Sequence, residues 1–79
     1  MNKIRVLISG RVQGVGFRYW LRGKMKQLGV SGEVQNSEDG TVSAEFEGTK
    51  EQNQKIIACC QQGPALAKVL KVDILKSDD

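Results

Sequence analysis

Two periodicities meet across a run of glycines, and that junction restricts the possible folds more than any other feature of the chain. Residues 3–9 alternate, with Ile4, Val6 and Ile8 on one side and Arg5, Leu7 and Ser9 on the other, the period of a half-buried strand. Gly10 is expected to end it. From Phe17 the apolar residues Phe17, Trp20, Leu21, Met25 and Leu28 recur at helical spacing, and Gly29 supplies a C-terminal stop. A strand that feeds an amphipathic helix has to pack the two apolar faces together. The strand after that helix then runs parallel to the first.

The rest of the chain repeats the pattern with one hairpin inserted. "VSGEVQN" (30–36) reads as a short strand, "SEDG" (37–40) as a turn with Gly40 free to take a positive φ, and "TVSAEFE" (41–47) as a strand with Val42, Ala44 and Phe46 inward. Thr49 and Gln52 have the spacing of a capping box, opening a helix that carries Ile56, Ile57 and Cys60 until Gly63 and Pro64 stop it. "LAKVLKVDIL" (66–75) is the last strand. The order βαββαβ is the ferredoxin-like, split βαβ pattern, an α+β fold with two helices on one face of a four-stranded antiparallel sheet. With the third strand between the first two, the C-terminal ends of strands one and two lie on the same sheet edge, about 10 Å apart. Those ends carry residues 10–17 and Asn36.

Composition narrows the class. At 79 residues, with 39% hydrophobic side chains and one proline, residues 1–79 are expected to form a single domain. Twelve basic and nine acidic residues leave a net charge of +3, with the lysines scattered instead of gathered in a stripe. That balance suits a small anion and argues against nucleic acid. The chain has no histidine, and adjacent Cys59 and Cys60 lack metal-ligand spacing and could bridge each other only with strain, so no metal site or disulfide is expected. Cys60 is expected to pack inside, with Cys59 partly exposed. No segment reads as a signal peptide or a membrane span, which points to a cytoplasmic protein that does not bind membranes. Trp20, Met25 and Phe46 are expected in the core.

Gly10, Gly14 and Gly16 lead straight into a helix N-terminus. Such a loop is either a plain tight turn or an anion site, in which inward backbone N–H groups join the unpartnered amides of the first helical turn. Arg18 sits in that first turn, where the helix dipole favours negative charge, and a bound anion would compensate both. Arg18 can also be read as a solvated surface charge, and Asn36 as a turn residue bonding its own backbone. Gly14-Val15-Gly16 lacks the remaining glycine of a dinucleotide fingerprint, and no Gly-Lys-Ser/Thr follows, so a nucleotide is disfavoured.

"GRVQGVGFR" resembles the signature of the acylphosphatase family, "GEVQNSEDGTV" is similar to its second motif, and "GPALAKV" resembles its third landmark, in the family's order and over nearly the whole chain. The resemblance implies a ferredoxin-like hydrolase of the carboxyl–phosphate bond of acyl phosphates, working without metal or cofactor and releasing inorganic phosphate. It implies that Arg18 binds the phosphate, that Asn36 positions the attacking water, and that Gln13, Gly14, Val15, Gly16 and Phe17 form the phosphate cradle. A monomer acting on a small molecule is expected. Gly16 and Glu33 depart from the bulkier and aromatic residues common at those positions. The end "KSDD" lacks the usual aromatic or basic tail, and these departures point to lower stability and turnover. The chemistry fits a chain without histidine. A carboxylate leaving group of pKa about 4 needs no proton donor. Rival readings are a non-catalytic module of the same fold binding an anion or a protein, or one binding RNA on sheet aromatics, although Phe46 faces inward and strand one has no aromatic.

Overall fold

The alternation at the N-terminus forms strand β1 (Asn2–Arg11), followed by helix α1 (Phe17–Gln27), strands β2 (Ser31–Asn36) and β3 (Val42–Gly48), helix α2 (Lys50–Gln62) and strand β4 (Lys68–Ser77). The structure, a computed structural model, describes residues 1–77; Asp78 and Asp79 of the "KSDD" end lie outside the described residues. The sheet order is β2-β3-β1-β4, and every neighbouring pair is antiparallel. Because β1 and β2 both oppose β3, they point the same way, and the segments leaving them, residues 12–16 and 37–41, share one edge of the sheet. The ferredoxin-like order read from the periodicities is the observed one.

One face of the sheet is apolar, and both helices cover it. Ile4, Val6 and Ile8 of β1 pair with Phe46, Ala44 and Val42 of β3, and Val34 of β2 joins the same layer. Against it α1 sets Phe17, Leu21 and Met25, spaced i, i+4, i+8, and α2 sets Ile56 and Cys60. Each large side chain buried here contributes roughly 1.5–3 kcal/mol by leaving water. Asn53, whose polarity hid it from the apolar pattern, completes the buried stripe of α2. Its Nδ2 donates to the carbonyls of Asn2 at 2.9 Å and Gly48 at 3.3 Å. The capping box forms as expected: Gln52 N–H donates to Thr49 Oγ1 at 3.1 Å, and Thr49 N–H donates to Gln52 Oε1 at 2.8 Å.

Three expectations need correction. β1 does not stop at Gly10 but pairs on through Arg11, because β4 supplies partners as far as Lys68. The pairing skips Leu70 and Leu75 of β4, so this strand bulges twice. Gly10 adopts φ 126° at the first of these, where an added Cβ would collide with the Lys68 carbonyl oxygen and lie 2.8 Å from the Leu70 nitrogen. β4 itself begins at Lys68, since a turn from the Pro64 carbonyl to the Ala67 N–H (3.0 Å) occupies the preceding residues. Trp20 is half-buried at the margin of the core, edge-on to Phe17 with ring centroids 5.7 Å apart, and Lys24 Nζ sits 5.8 Å from its ring. Three residues beyond Phe17, it falls on the flank of α1. Met25, Phe46 and Cys60 are buried, and Cys59 is intermediate, as expected.

Candidate active site

The two helices begin in opposite ways. At α2, Thr49 and Gln52 satisfy each other's backbone, and Glu51 in the first turn complements the helix dipole. At α1 the cap is Gly16, which has no side chain to offer, the first turn holds no acidic residue, and it holds Arg18 instead. The first helical bond runs from Trp20 N–H to the Gly16 carbonyl at 3.0 Å, so the amides of Phe17, Arg18 and Tyr19 precede the ladder. A helix terminus left this bare is suited to an anion.

The loop before it extends the array. Gly14 and Gly16 take φ of 73° and 77°, while no other residue type in the described chain has positive φ, so the sign alternates along residues 13–17. Alternation of this kind turns successive N–H groups to one side and makes an anion-binding concavity. An added Cβ at Gly14 or Gly16 would meet nothing within 4 Å. Glycine is therefore required there by backbone conformation alone, whereas at Gly10 it is also required by crowding against β4.

Val12, Gly14, Gly16, Phe17, Arg18, Tyr19, Arg22 and Asn36 line one cavity of about 400 Å³ over this terminus. No carboxylate borders it. Among the described residues Arg18 has no hydrogen-bond or ion-pair partner, and the three ion pairs found among them lie elsewhere, at Arg5–Glu45, Lys55–Glu51 and Lys71–Asp73. A depression of similar size, about 380 Å³, on the opposite face of the sheet contains Glu33, Glu45 and Arg5. There the arginine is already held by Glu45 at 3.0 Å, and the remaining Glu33 repels anions. Of these two depressions, the one over α1 has the charge that suits an anion.

Of the residues singled out in the sequence, Gly14, Gly16, Phe17, Arg18 and Asn36 come together on this cavity. Asn36 arrives from the last position of β2 and is exposed. The side chains of Gln13 and Val15 do not line it. Val15 packs against the core. Gln13 Nε2 donates to the carbonyls of Ser37 at 2.7 Å and Thr41 at 2.8 Å, binding the glycine loop to the β2–β3 turn beside Asn36. That turn is closed by Asp39, whose Oδ1 accepts from Thr41 Oγ1 at 2.6 Å and Thr41 N at 3.1 Å, and these bonds hold its carboxyl below the usual value. Sequence reasoning missed Val12, Tyr19 and Arg22. For Arg22 a signal existed, since it follows Arg18 by four residues and shares its helix face. Among the described residues no group of three or more His, Cys, Asp and Glu side chains could hold a metal ion, and no helix is long and apolar enough to cross a membrane.

A ferredoxin-like sheet that presents an uncapped helix, a glycine loop and an arginine at one edge defines a class of small anion-handling α+β proteins. Comparison with known proteins narrows the class. The family model described as Acylphosphatase matches residues 4–79, and the chain belongs to the acylphosphatase family of hydrolases. The acylphosphatase of Roseiflexus sp. (strain RS-1) is 49% identical over 74 residues, which are 94% of this chain and 80% of that protein. The acylphosphatase of Chloroflexus aurantiacus is 46% identical over 72 residues, 91% of this chain and 78% of that one. The crystal structure of acylphosphatase from Bacillus subtilis superposes with a TM-score of 0.94 at 31% identity, covering 99% of this chain and 86% of that one.

Proposed function

We propose that this site hydrolyses the carboxyl–phosphate bond of acyl phosphates, with the phosphoryl group held by Arg18 and the amides of residues 13–17 and with the attacking water oriented by Asn36. The observation that carries this reading is the single cavity in which the bare start of α1 and Arg18 face Asn36 from β2. The transition state spreads charge over the phosphoryl oxygens, and converging amides with a planar two-pronged guanidinium match that distribution. Asn36 offers the water a side-chain carbonyl and amide, and it brings no charge to repel the substrate. The water's proton passes to a phosphoryl oxygen of the substrate. The carboxylate departs unprotonated, so the absence of histidine costs the reaction nothing.

The direct test follows acetyl phosphate or benzoyl phosphate in the presence of a metal chelator. Turnover unaffected by the chelator and competitively inhibited by inorganic phosphate is expected, with phosphate monoesters reacting poorly because their alkoxides leave only with an acid. A folded protein that leaves acyl phosphates at their uncatalysed rate of loss rejects the reading.

A further inference from the structure

Two arginines, Arg18 and Arg22, line the cavity, although one guanidinium suffices for a phosphoryl group. Arg18 and Arg22 stand one above the other on α1, separated along the helix by about 6 Å at 1.5 Å per residue. Like charges at this spacing destabilise a helix, and no acidic residue on the cavity wall offsets that cost. Arg22 is also fixed in place. Its Nη2 donates to the Val34 carbonyl at 3.2 Å, two residues before Asn36, which leaves the remaining donors of the fork uncommitted.

We propose that Arg22 recognises a second anionic group on the acyl side of the substrate, so that the site favours acyl phosphates whose chain ends in a carboxylate or phosphate. The inference rests on the acyl phosphate reading above. A phosphoryl group against the start of α1 and Arg18 leaves the acyl chain to run along the helix toward Arg22. The cavity, at about 400 Å³, is large enough for both parts. Because Val34 already holds the guanidinium, little side-chain entropy is lost when the second anion binds. The opposing possibility is an apolar acyl subsite on Tyr19, which is 85% exposed and borders both this cavity and the adjoining groove along Trp20.

Succinyl phosphate and butyryl phosphate carry the same four-carbon chain and differ in a terminal carboxylate or methyl group, so the ratio of their kcat/KM values isolates the second charge. Wild-type protein is expected to favour succinyl phosphate about three- to tenfold at low salt, the range between an exposed ion pair and a charge-assisted bond. The ratio should shrink at 0.5 M sodium chloride. Arg22→Gln should collapse it toward one, and Arg22→Lys should restore part of it, which loss of the Val34 contact alone would not produce. A wild-type ratio of one or below, or an Arg22→Gln ratio equal to wild type, overturns the inference while leaving acyl phosphate hydrolysis standing. Turnover of neither compound overturns both.

Discussion

The side-chain amide of Gln13 donates to the Ser37 carbonyl at 2.7 Å across 24 positions of sequence. This bond, with its companion to Thr41, joins the glycine loop to the turn that follows Asn36. The cavity is lined by the glycine loop and α1 on one side and by Asn36 of β2 on the other, and Gln13 bridges the two sides. Removing it with Gln13→Ala should cost about 1–3 kcal/mol of stability, the net value of two part-buried hydrogen bonds. Urea unfolding measures that loss. The folded variant should also lose kcat, because loop and Asn36 are no longer held in register, and Gln13→Glu should be worse, since a carboxylate would face two carbonyl oxygens.

Arg18→Lys keeps the charge and loses the fork. Activity should fall about 10- to 100-fold, the worth of one charge-assisted hydrogen bond, and inhibition by inorganic phosphate should weaken in parallel. Steady-state kinetics on acetyl phosphate decide it, and near-normal turnover would make Arg18 a surface charge.

Asn36→Ala should separate chemistry from binding. Loss of one preorganised polar contact at a reacting centre typically costs about 10²–10³ in kcat. Phosphate inhibition should change little, because the water and not the phosphoryl group loses its partner. An unchanged kcat with lowered stability would return Asn36 to the turn.

Glycines of equal appearance in the sequence should respond unequally to alanine. Gly16→Ala meets open space and suffers only the left-handed backbone, about 1–2 kcal/mol. Gly10→Ala must in addition push β4 away and should unfold at clearly lower temperature than Gly16→Ala in parallel thermal melts. Activity should rank the other way among molecules still folded, since Gly16 shapes the site and Gly10 does not line it.

Burial, with some help from neighbouring Cys59, pushes the Cys60 thiol from its ordinary value of 9.0 up to about 12. The folded state therefore holds that proton more tightly than the unfolded chain. Its contribution is fully present below pH 9 and is lost as pH rises from 9 toward 12, at about 1.4 kcal/mol per unit. Urea unfolding of wild type and Cys60→Ala at pH 8 and pH 10 should show wild type losing more stability over that interval. Equal losses would mean that Cys60 is not held neutral by the fold.

Periodicity made most of the architecture legible. Ile4, Val6 and Ile8 alternate, and Phe17, Leu21 and Met25 recur every fourth residue, because solvent lies on one side of each element and core on the other. Thr49 and Gln52 were readable as a cap since both partners lie within one turn. Trp20 was misplaced because hydrophobicity says that a side chain prefers burial, not which flank of the helix has a neighbour. Asn53 went unnoticed because its burial depends on carbonyls of Asn2 and Gly48 that only the assembled sheet delivers.

For the site, the division follows sequence distance. The chain by itself determined the βαββαβ order, the uncapped glycine start of α1 with Arg18 in its first turn, and the absence of histidine, all properties of residues within a few positions of one another. Only the tertiary structure decided that Gln13 serves as a clasp and not as a lining residue, that Arg22 shares the cavity with Arg18, and that Gly10 is reserved for β4. Each of these depends on strands brought together from distant positions. Which hydrogen bond a side chain makes, or what its Cβ would strike, is set by the neighbour that the sheet order places beside it.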